Sequence, residues 1–177
     1  PEARTHVHVQ RSLHDAIAVG TGTLLADDPQ LTARIAGDGD DDATPQPLPV
    51  VVGRRPVPMT ARLRAHPRGL VQVDGDPAAW LGALWRDHGV QSLYVEGGPT
   101  LASAIVAAGL ADRIHCYVAP TLLGGARTAT GDLGVATIDE QLLLDDVALE
   151  ALGRDLLVSA TIRHTTIRSA APAAKEG

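Results

Sequence analysis

An apolar run, Ala16-Ile17-Ala18-Val19, leads into Gly20-Thr21-Gly22-Thr23-Leu24-Leu25-Ala26-Asp27-Asp28-Pro29-Gln30-Leu31-Thr32-Ala33-Arg34. The run reads as a buried strand. Two glycines, two threonines and a short Leu-Leu-Ala segment then predict a tight turn beside a short helix, closed by paired aspartates and a proline. Backbone N–H groups and hydroxyls left open at such a turn can hold phosphate or ribose oxygens. The other reading is an ordinary strand-to-helix connection with an aspartate-proline stop. Gly-x-Gly alone favours that plainer reading, because short glycine motifs are weak. The whole string is more specific than its glycines.

A buried strand requires a core, and 177 residues suit one domain with a full one. Hydrophobic residues make up 45% of the chain, which points to a globular protein rather than disorder. Aromatic residues are only 2% and Phe is absent, so Leu, Val, Ile and Ala must fill the interior. The formal charge is −6 with no basic block, which disfavours nucleic-acid binding and attachment to an anionic membrane. The single cysteine, Cys116, excludes an intrachain disulfide and a multi-cysteine metal site, and its apolar neighbours suggest a core position. No apolar run approaches a membrane span and no signal peptide is visible, so a cytoplasmic protein is the expectation.

Pro1 to Leu13 predicts a helix that begins at the first residue, with Glu2 at the positive end of its dipole and Arg11 emerging at the end of one face. His6 and His8 are two apart and point to different faces, which favours surface histidines over a metal site. Ile35 to Pro49 reads as a loop. Its Gly37-Asp38-Gly39-Asp40-Asp41-Asp42 has no glutamate to close a calcium site, so solvated acid is the stronger reading. Val50-Val51-Val52 is a short buried strand followed by Gly53-Arg54-Arg55. These arginines either meet a phosphate or are surface charge, and both readings stay open.

Leu70 to Val73 is a further strand. Asp76 caps a helix with Pro77 at its first position and Gly89 at its stop, and both tryptophans read as packing residues. Ser92 to Val95 is the next strand, and the strand–helix–strand alternation points to an α/β sheet with parallel neighbours. After it comes Glu96-Gly97-Gly98-Pro99-Thr100-Leu101-Ala102, opening a helix to about Ala108. A helix N-terminus at the carboxyl end of a parallel strand is where such sheets bind nucleotides. Glu96 either binds a hydroxyl or ammonium group or caps the helix. Ile114 to Ala119 is a strand, Pro120 to Gly134 a glycine-rich loop, and Val147–Ala151 with Asp155–Ile162 a closing antiparallel hairpin around Gly153-Arg154. The hairpin offers a sheet edge through which a homodimer is plausible.

Taken together, the motifs resemble the reductase domain of riboflavin biosynthesis, the 5-amino-6-(5-phosphoribosylamino)uracil reductase family. The matching segments are Pro1 to Arg4 with Arg11, Asp15 to Arg34, Val50 to Arg55, Tyr94 to Ala102, and Tyr117 to Pro120 with Leu122 to Gly125. They run in the family's order. Asp27-Asp28-Pro29-x-Leu31-Thr32-x-Arg34 together with Val95-Glu96-Gly97-Gly98 is the specific combination.

The resemblance implies a dihydrofolate-reductase-like α/β fold, a mostly parallel sheet flanked by helices with a C-terminal antiparallel hairpin. It implies NADPH as cofactor and a phosphorylated pyrimidine as substrate. It assigns Thr23, Asp27, Gly53, Gly97, Gly98, Pro99, Thr100, Leu101 and Ala102 to the cofactor, with Arg54 a possible partner for its 2′-phosphate. It assigns Arg11, Leu31, Arg34 and Glu96 to the substrate. Asp27 and Glu96 are the candidate proton donors, beside water. Gly53 stands where some members carry serine. The family's Ser-Leu-Asp-Gly strand and Ser-x-Trp-Ile segment have no counterpart here, so residues 1–166 are expected to be a reductase domain lacking its first strand, with 167–177 a flexible tail. The deaminase that is often fused upstream needs His-x-Glu and Pro-Cys-x-x-Cys. Neither occurs in this sequence, so deamination and zinc are not expected.

Overall fold

β1, Ala16–Gly20, is the innermost strand. Ala16, Ile17 and Ala18 have no exposed surface and Val19 has 1%. A strand buried on both faces needs partners on both edges, and β1 has them. It pairs in parallel with β2, Leu48–Val52, on one side and with β4, Leu93–Val95, on the other. β3, Val71–Val73, adds to the far edge of β2, giving a parallel sheet in the order β3-β2-β1-β4. A computed structural model of the chain describes residues 1–35, 44–124 and 128–163. The acidic stretch at 37–42, Gly125 and Ala126 of the glycine-rich loop, and the expected tail at 167–177 lie outside the described residues.

The side-chain alternation of β1 builds two cores. Ala16 and Ala18 face Trp80 and Leu84 of α3, Pro77–His88, and Leu101 and Ile105 of α4, Pro99–Ala107. The alanines are small enough to let helices lie close to the sheet. Ile17 and Val19 face the other way, onto Leu24 of α2, Thr21–Asp27, and onto Leu31, Val57 and Leu63. α3 forms as its local signals require: the Asp76 side chain accepts from Ala79 N–H, Pro77 occupies the first turn, and Gly89 ends the helix at φ 68°. α1, Glu2–Leu13, ends at His14.

A second sheet is antiparallel, ordered β5-β7-β6, from Arg113–Val118, Asp155–Ile162 and Leu144–Leu152 respectively. The expected hairpin is therefore present, and β5 joins it. Gly153 takes φ 67° at the first position of the two-residue turn, where a side chain on any other residue would be strained. α1 bridges the two sheets: His6 Nδ1 lies 2.7 Å from the Tyr117 hydroxyl on β5, while Arg11 reaches the end of β4.

Four expectations need correction. β2 begins at Leu48, so Pro49 lies within the strand and not in a loop. Leu48 N–H donates to the Asp15 carbonyl, so the missing N–H of the next residue points away from β1, and β3 does not start until opposite Val50. His6 and His8 are half-buried, since α1 packs over both sheets. Trp80 is buried, but Trp85 is 62% exposed. Cys116 is half-buried.

Three histidines share one electrostatic situation. Burial is the largest influence holding His8, His66 and His115 below the usual imidazole value near 6.5. Each is harder to protonate folded than unfolded, so below about pH 6.5 the unfolded chain takes up more protons. This contribution to stability is intact above that pH and is lost as pH falls toward the lower folded-state values. Tm measured from pH 8 to pH 5 should therefore be flat above about 6.5 and decline below it. His66 accepts from the Arg68 N–H through Nδ1, and His66→Asn keeps an acceptor there, so this variant should show a shallower decline. An unchanged Tm down to pH 5 in the parent chain would refute the assignment.

Candidate active site

Because the four strands are parallel, their carboxyl ends share one edge of the sheet. Gly20 pairs with Val52, and Ala18 with Val95, so the chain leaves β1, β2 and β4 within a few residues of a common line. Glu96 N–H extends the pairing by donating to the Ala18 carbonyl at 2.9 Å. Three segments begin there: the first turn of α2, Thr21-Gly22-Thr23, after β1, and the loops Gly53-Arg54-Arg55 after β2 and Glu96-Gly97-Gly98 after β4.

The glycines are spatial requirements. Gly53 has φ 130°, and a Cβ on it would lie 2.7 Å from Thr21 Oγ1. The serine that some family members carry here would collide with Thr21 in this backbone. A Cβ on Gly97 would lie 3.0 Å from Leu101 Cβ and Cδ2. Gly98 is the N-cap of α4, no side chain caps that end, and Pro99 occupies the first turn. A Cβ on Gly98 would be 3.7 Å from Thr23 Oγ1, so the first turn of α2 and the β4 loop stand side by side. Backbone laid open by glycine next to an uncapped helix start fits a dinucleotide cofactor lying along the strand ends. Thr100 is exposed on the first turn of α4, whereas Leu101 is buried beneath it.

Glu96 is not capping α4. It accepts a bidentate pair from Arg11: Nε to Oε1 at 2.7 Å and Nη2 to Oε2 at 2.6 Å. The two side chains are 15% and 21% exposed. Arg11 Nη1 also donates to the Thr32 carbonyl at 3.0 Å, which commits three of its five N–H donors. The Thr32 carbonyl is approached by His8 Nδ1 as well, at 3.2 Å, and the same nitrogen lies 3.2 Å from the Arg34 N–H. Burial, and then the Arg11 charge, keep His8 below its usual pKa and favour the neutral ring. A single ring nitrogen serves one of these partners at a time.

The remaining candidates lie along the same wall. Asp27 is exposed at the last turn of α2, one turn on from Thr23 and so on the same face. Asp28 and Leu31 take φ 41° and 57°, a left-handed region that non-glycine residues rarely occupy. Asp28 Oδ1 accepts from Arg62 N–H, and Leu31 is 1% exposed. Arg34 is exposed and donates to Thr32 Oγ1 and Gln30 Oε1, both neutral partners. Arg54 is exposed beside Asp74. The geometry thus joins Thr23 to Gly98, and Glu96 through Arg11 to Thr32 and its neighbours Leu31 and Arg34. Sequence reasoning missed Thr21, which packs on Gly53, and His8. The signal for His8 was present, since a residue three before Arg11 shares its helix face. Among the described residues no group of three or more His, Cys, Asp or Glu side chains is arranged to hold a metal ion.

Comparison with known proteins identifies the family and the fold. Residues 1–158 match the family described as RibD C-terminal domain. Riboflavin biosynthesis protein RibD of Mycobacterium tuberculosis (strain H37Rv) is 48% identical over 162 residues, covering 91% of this chain and 46% of that protein. The chain therefore spans about half the length of that curated relative. The 2,5-diamino-6-ribosylamino-4(3H)-pyrimidinone 5′-phosphate reductase of Archaeoglobus fulgidus is 38% identical over 149 residues, covering 68% of each chain. The solved structure of Acinetobacter baumannii RibD superposes with a TM-score of 0.82 at 28% identity, covering 92% of this chain and 51% of that one. Its reductase domain has the dihydrofolate-reductase-like fold, and the expected fold class is borne out. The chain belongs to the RibD C-terminal domain family.

Proposed function

We propose that the chain is an oxidoreductase of riboflavin biosynthesis. It carries out the NADPH-dependent reduction of 5-amino-6-(5-phosphoribosylamino)uracil to the phosphoribitylamino product. The observation that carries this reading is the junction at the β4 end: Gly98 stands against Thr23 while Glu96, two residues earlier, grips Arg11. One loop thereby borders both a cofactor surface and a charged substrate surface.

On this reading Thr23, Asp27, the Gly53 loop, and the Gly97–Ala102 turn and helix hold the cofactor. The cofactor supplies a hydride to C1′ of the ring-opened ribosylamino group. Arg11, Arg34 and Glu96 border the substrate, Arg34 at its phosphate end, and Leu31, buried under β1, acts by anchoring the backbone that carries Thr32 and Arg34. Asp27 and Glu96 are the carboxyl groups available to handle the accompanying proton. The protein's own contribution is orientation and charge. Arg34, held only by neutral acceptors, keeps its full charge for a phosphate. Residues 1–166 form the reductase unit on this reading, working in the cytoplasm. A homodimer is supported by β6, an edge strand nine residues long on which Leu144, Val147 and Leu149 are exposed.

A second reading concerns the base. The archaeal relative is named as a reductase of a diaminopyrimidinone, which carries an amino group where the uracil has an oxygen. That reading reverses the order of reduction and deamination without altering the phosphate site.

Turnover separates these readings. The uracil substrate should be reduced faster than the diaminopyrimidinone, and removal of the phosphate should abolish the difference between parent and Arg34→Met. With phosphate present, Arg34→Met should raise KM by about 10- to 100-fold, the effect of losing a charge-assisted contact. Equal KM for phosphorylated and dephosphorylated substrate would refute the phosphate role. The Arg11–Glu96 pair has its own test. Arg11→Met and Glu96→Gln should each lower stability by about 1–3 kcal/mol, with a double-mutant coupling above about 1 kcal/mol in urea unfolding. Additive effects would mean that the pair is not a unit.

A further inference from the structure

The two arginines after β2 part company. Arg54 turns toward the loop after β3, with Nε 3.4 Å from Asp74 Oδ2. Arg55 turns toward the first turn of α2. Its Nε lies 3.4 Å from Thr21 Oγ1, and its Nη2 lies 3.3 Å from where a Cβ on Gly22 would stand. The guanidinium therefore rests over a glycine surface that no side chain obstructs. Its backbone is held in place, because Gln72 Nε2 donates to the carbonyls of Gly53 at 2.7 Å and Arg55 at 2.8 Å. The two bonds hold the backbone from which Arg54 and Arg55 project toward different neighbours.

Charge distinguishes the two further. Among the described residues no carboxylate stands within ion-pair distance of Arg55, in a chain of net charge −6. A lone, distant hydroxyl does not neutralise it. A positioned guanidinium with open donors is suited to a bidentate phosphate contact. Position along the sheet indicates which phosphate. The strand ends run in the order β2, β1, β4, and Glu96 with Arg11 stands at the β4 end. A cofactor whose reactive end meets the substrate there must extend its adenosine end across β1 toward β2, where Arg55 lies.

We propose that Arg55 receives the 2′-phosphate on the adenosine ribose and is the residue by which this chain selects NADPH over NADH. The inference rests on the reductase reading above and assigns the phosphate to Arg55 within the basic pair, with Arg54 turned away beside Asp74.

Direct titration tests it without turnover. The parent chain, Arg55→Ala and Arg54→Ala would each be titrated with NADPH and with NADH, followed by nicotinamide fluorescence, with circular dichroism and Tm confirming the fold. The parent chain should bind NADPH more tightly. Arg55→Ala should bind NADPH about 10- to 100-fold more weakly while binding NADH as the parent does. Adenosine 2′,5′-bisphosphate should compete with NADPH on the parent chain and lose its advantage over 5′-AMP on Arg55→Ala. The proposal is overturned if Arg55→Ala keeps the parent's preference, if both cofactors weaken equally, or if the loss follows Arg54→Ala. A parent chain that binds both cofactors alike overturns it while leaving the reductase reading standing. A parent chain that binds neither at millimolar concentration overturns that reading and this inference with it.

Discussion

The parallel pairing of β1 with β2 on one edge and β4 on the other fixes where three connections must begin. In a parallel sheet every strand delivers its carboxyl end to the same side, so loops distant in sequence become neighbours without any contact having been selected for that purpose. Here Thr21, Gly53 and Glu96 are separated by tens of residues, yet each follows directly on a strand of this sheet. The burial of β1 makes this arrangement stiff. Shifting its register by one residue would turn Ile17 and Val19 toward α4, into space that fits only Ala16 and Ala18. The precision of the site is thus inherited from the core beneath it.

Electrostatics then divides that edge. At the β4 end, opposite charges are brought together: Arg11 and Glu96 form a largely buried bidentate pair, which ties α1 to the sheet. Such a pair adds little net stability over an apolar contact, but removing one partner strands the other's charge. At the β2 end, no carboxylate among the described residues pairs with Arg55. An overall acidic chain with cationic groups kept uncompensated at selected points attracts anions to those points and repels them elsewhere.

Much of this was legible in the sequence because the signals were local. The apolar run of β1 and the cap, proline and glycine that bracket α3 each specify their own geometry. So does the string from Glu96 to Ala102. What was not legible depended on long-range partners. Pro49 reads as a strand breaker until it is known that β3 starts beyond it, leaving no donor required at that position. His6 and His8 read as surface residues because nothing in a single helix reveals that two sheets will flank it. Arg54 and Arg55 are indistinguishable in sequence; Asp74, Thr21 and Gln72, which separate them, arrive from three other segments. The order of Arg11, Asp27, Leu31, Arg34 and Glu96 along the chain became meaningful through resemblance to a family, since spacing alone does not say that Arg11 and Glu96 touch.

The segment from Asp28 to Arg34 shows how a strained backbone is held for use. Asp28 and Leu31 both sit in the left-handed region, at a cost of about 1–2 kcal/mol per residue for L side chains. Each offsets that cost through a specific contact. Asp28 N–H bonds back to the Leu24 carbonyl and its carboxylate accepts from Arg62, while Leu31 buries its side chain almost completely in the core under β1. Thr32, next in line, has its carbonyl held by Arg11 and approached by His8. A backbone constrained from the core side by Leu31 and from the helix side by Arg11 and His8 cannot relax to an ordinary turn. It therefore presents Arg34 from a fixed base, although the side chain itself is exposed. Arg11, which holds the Thr32 carbonyl, also grips Glu96, so that this segment and the β4 loop are tied together through one side chain.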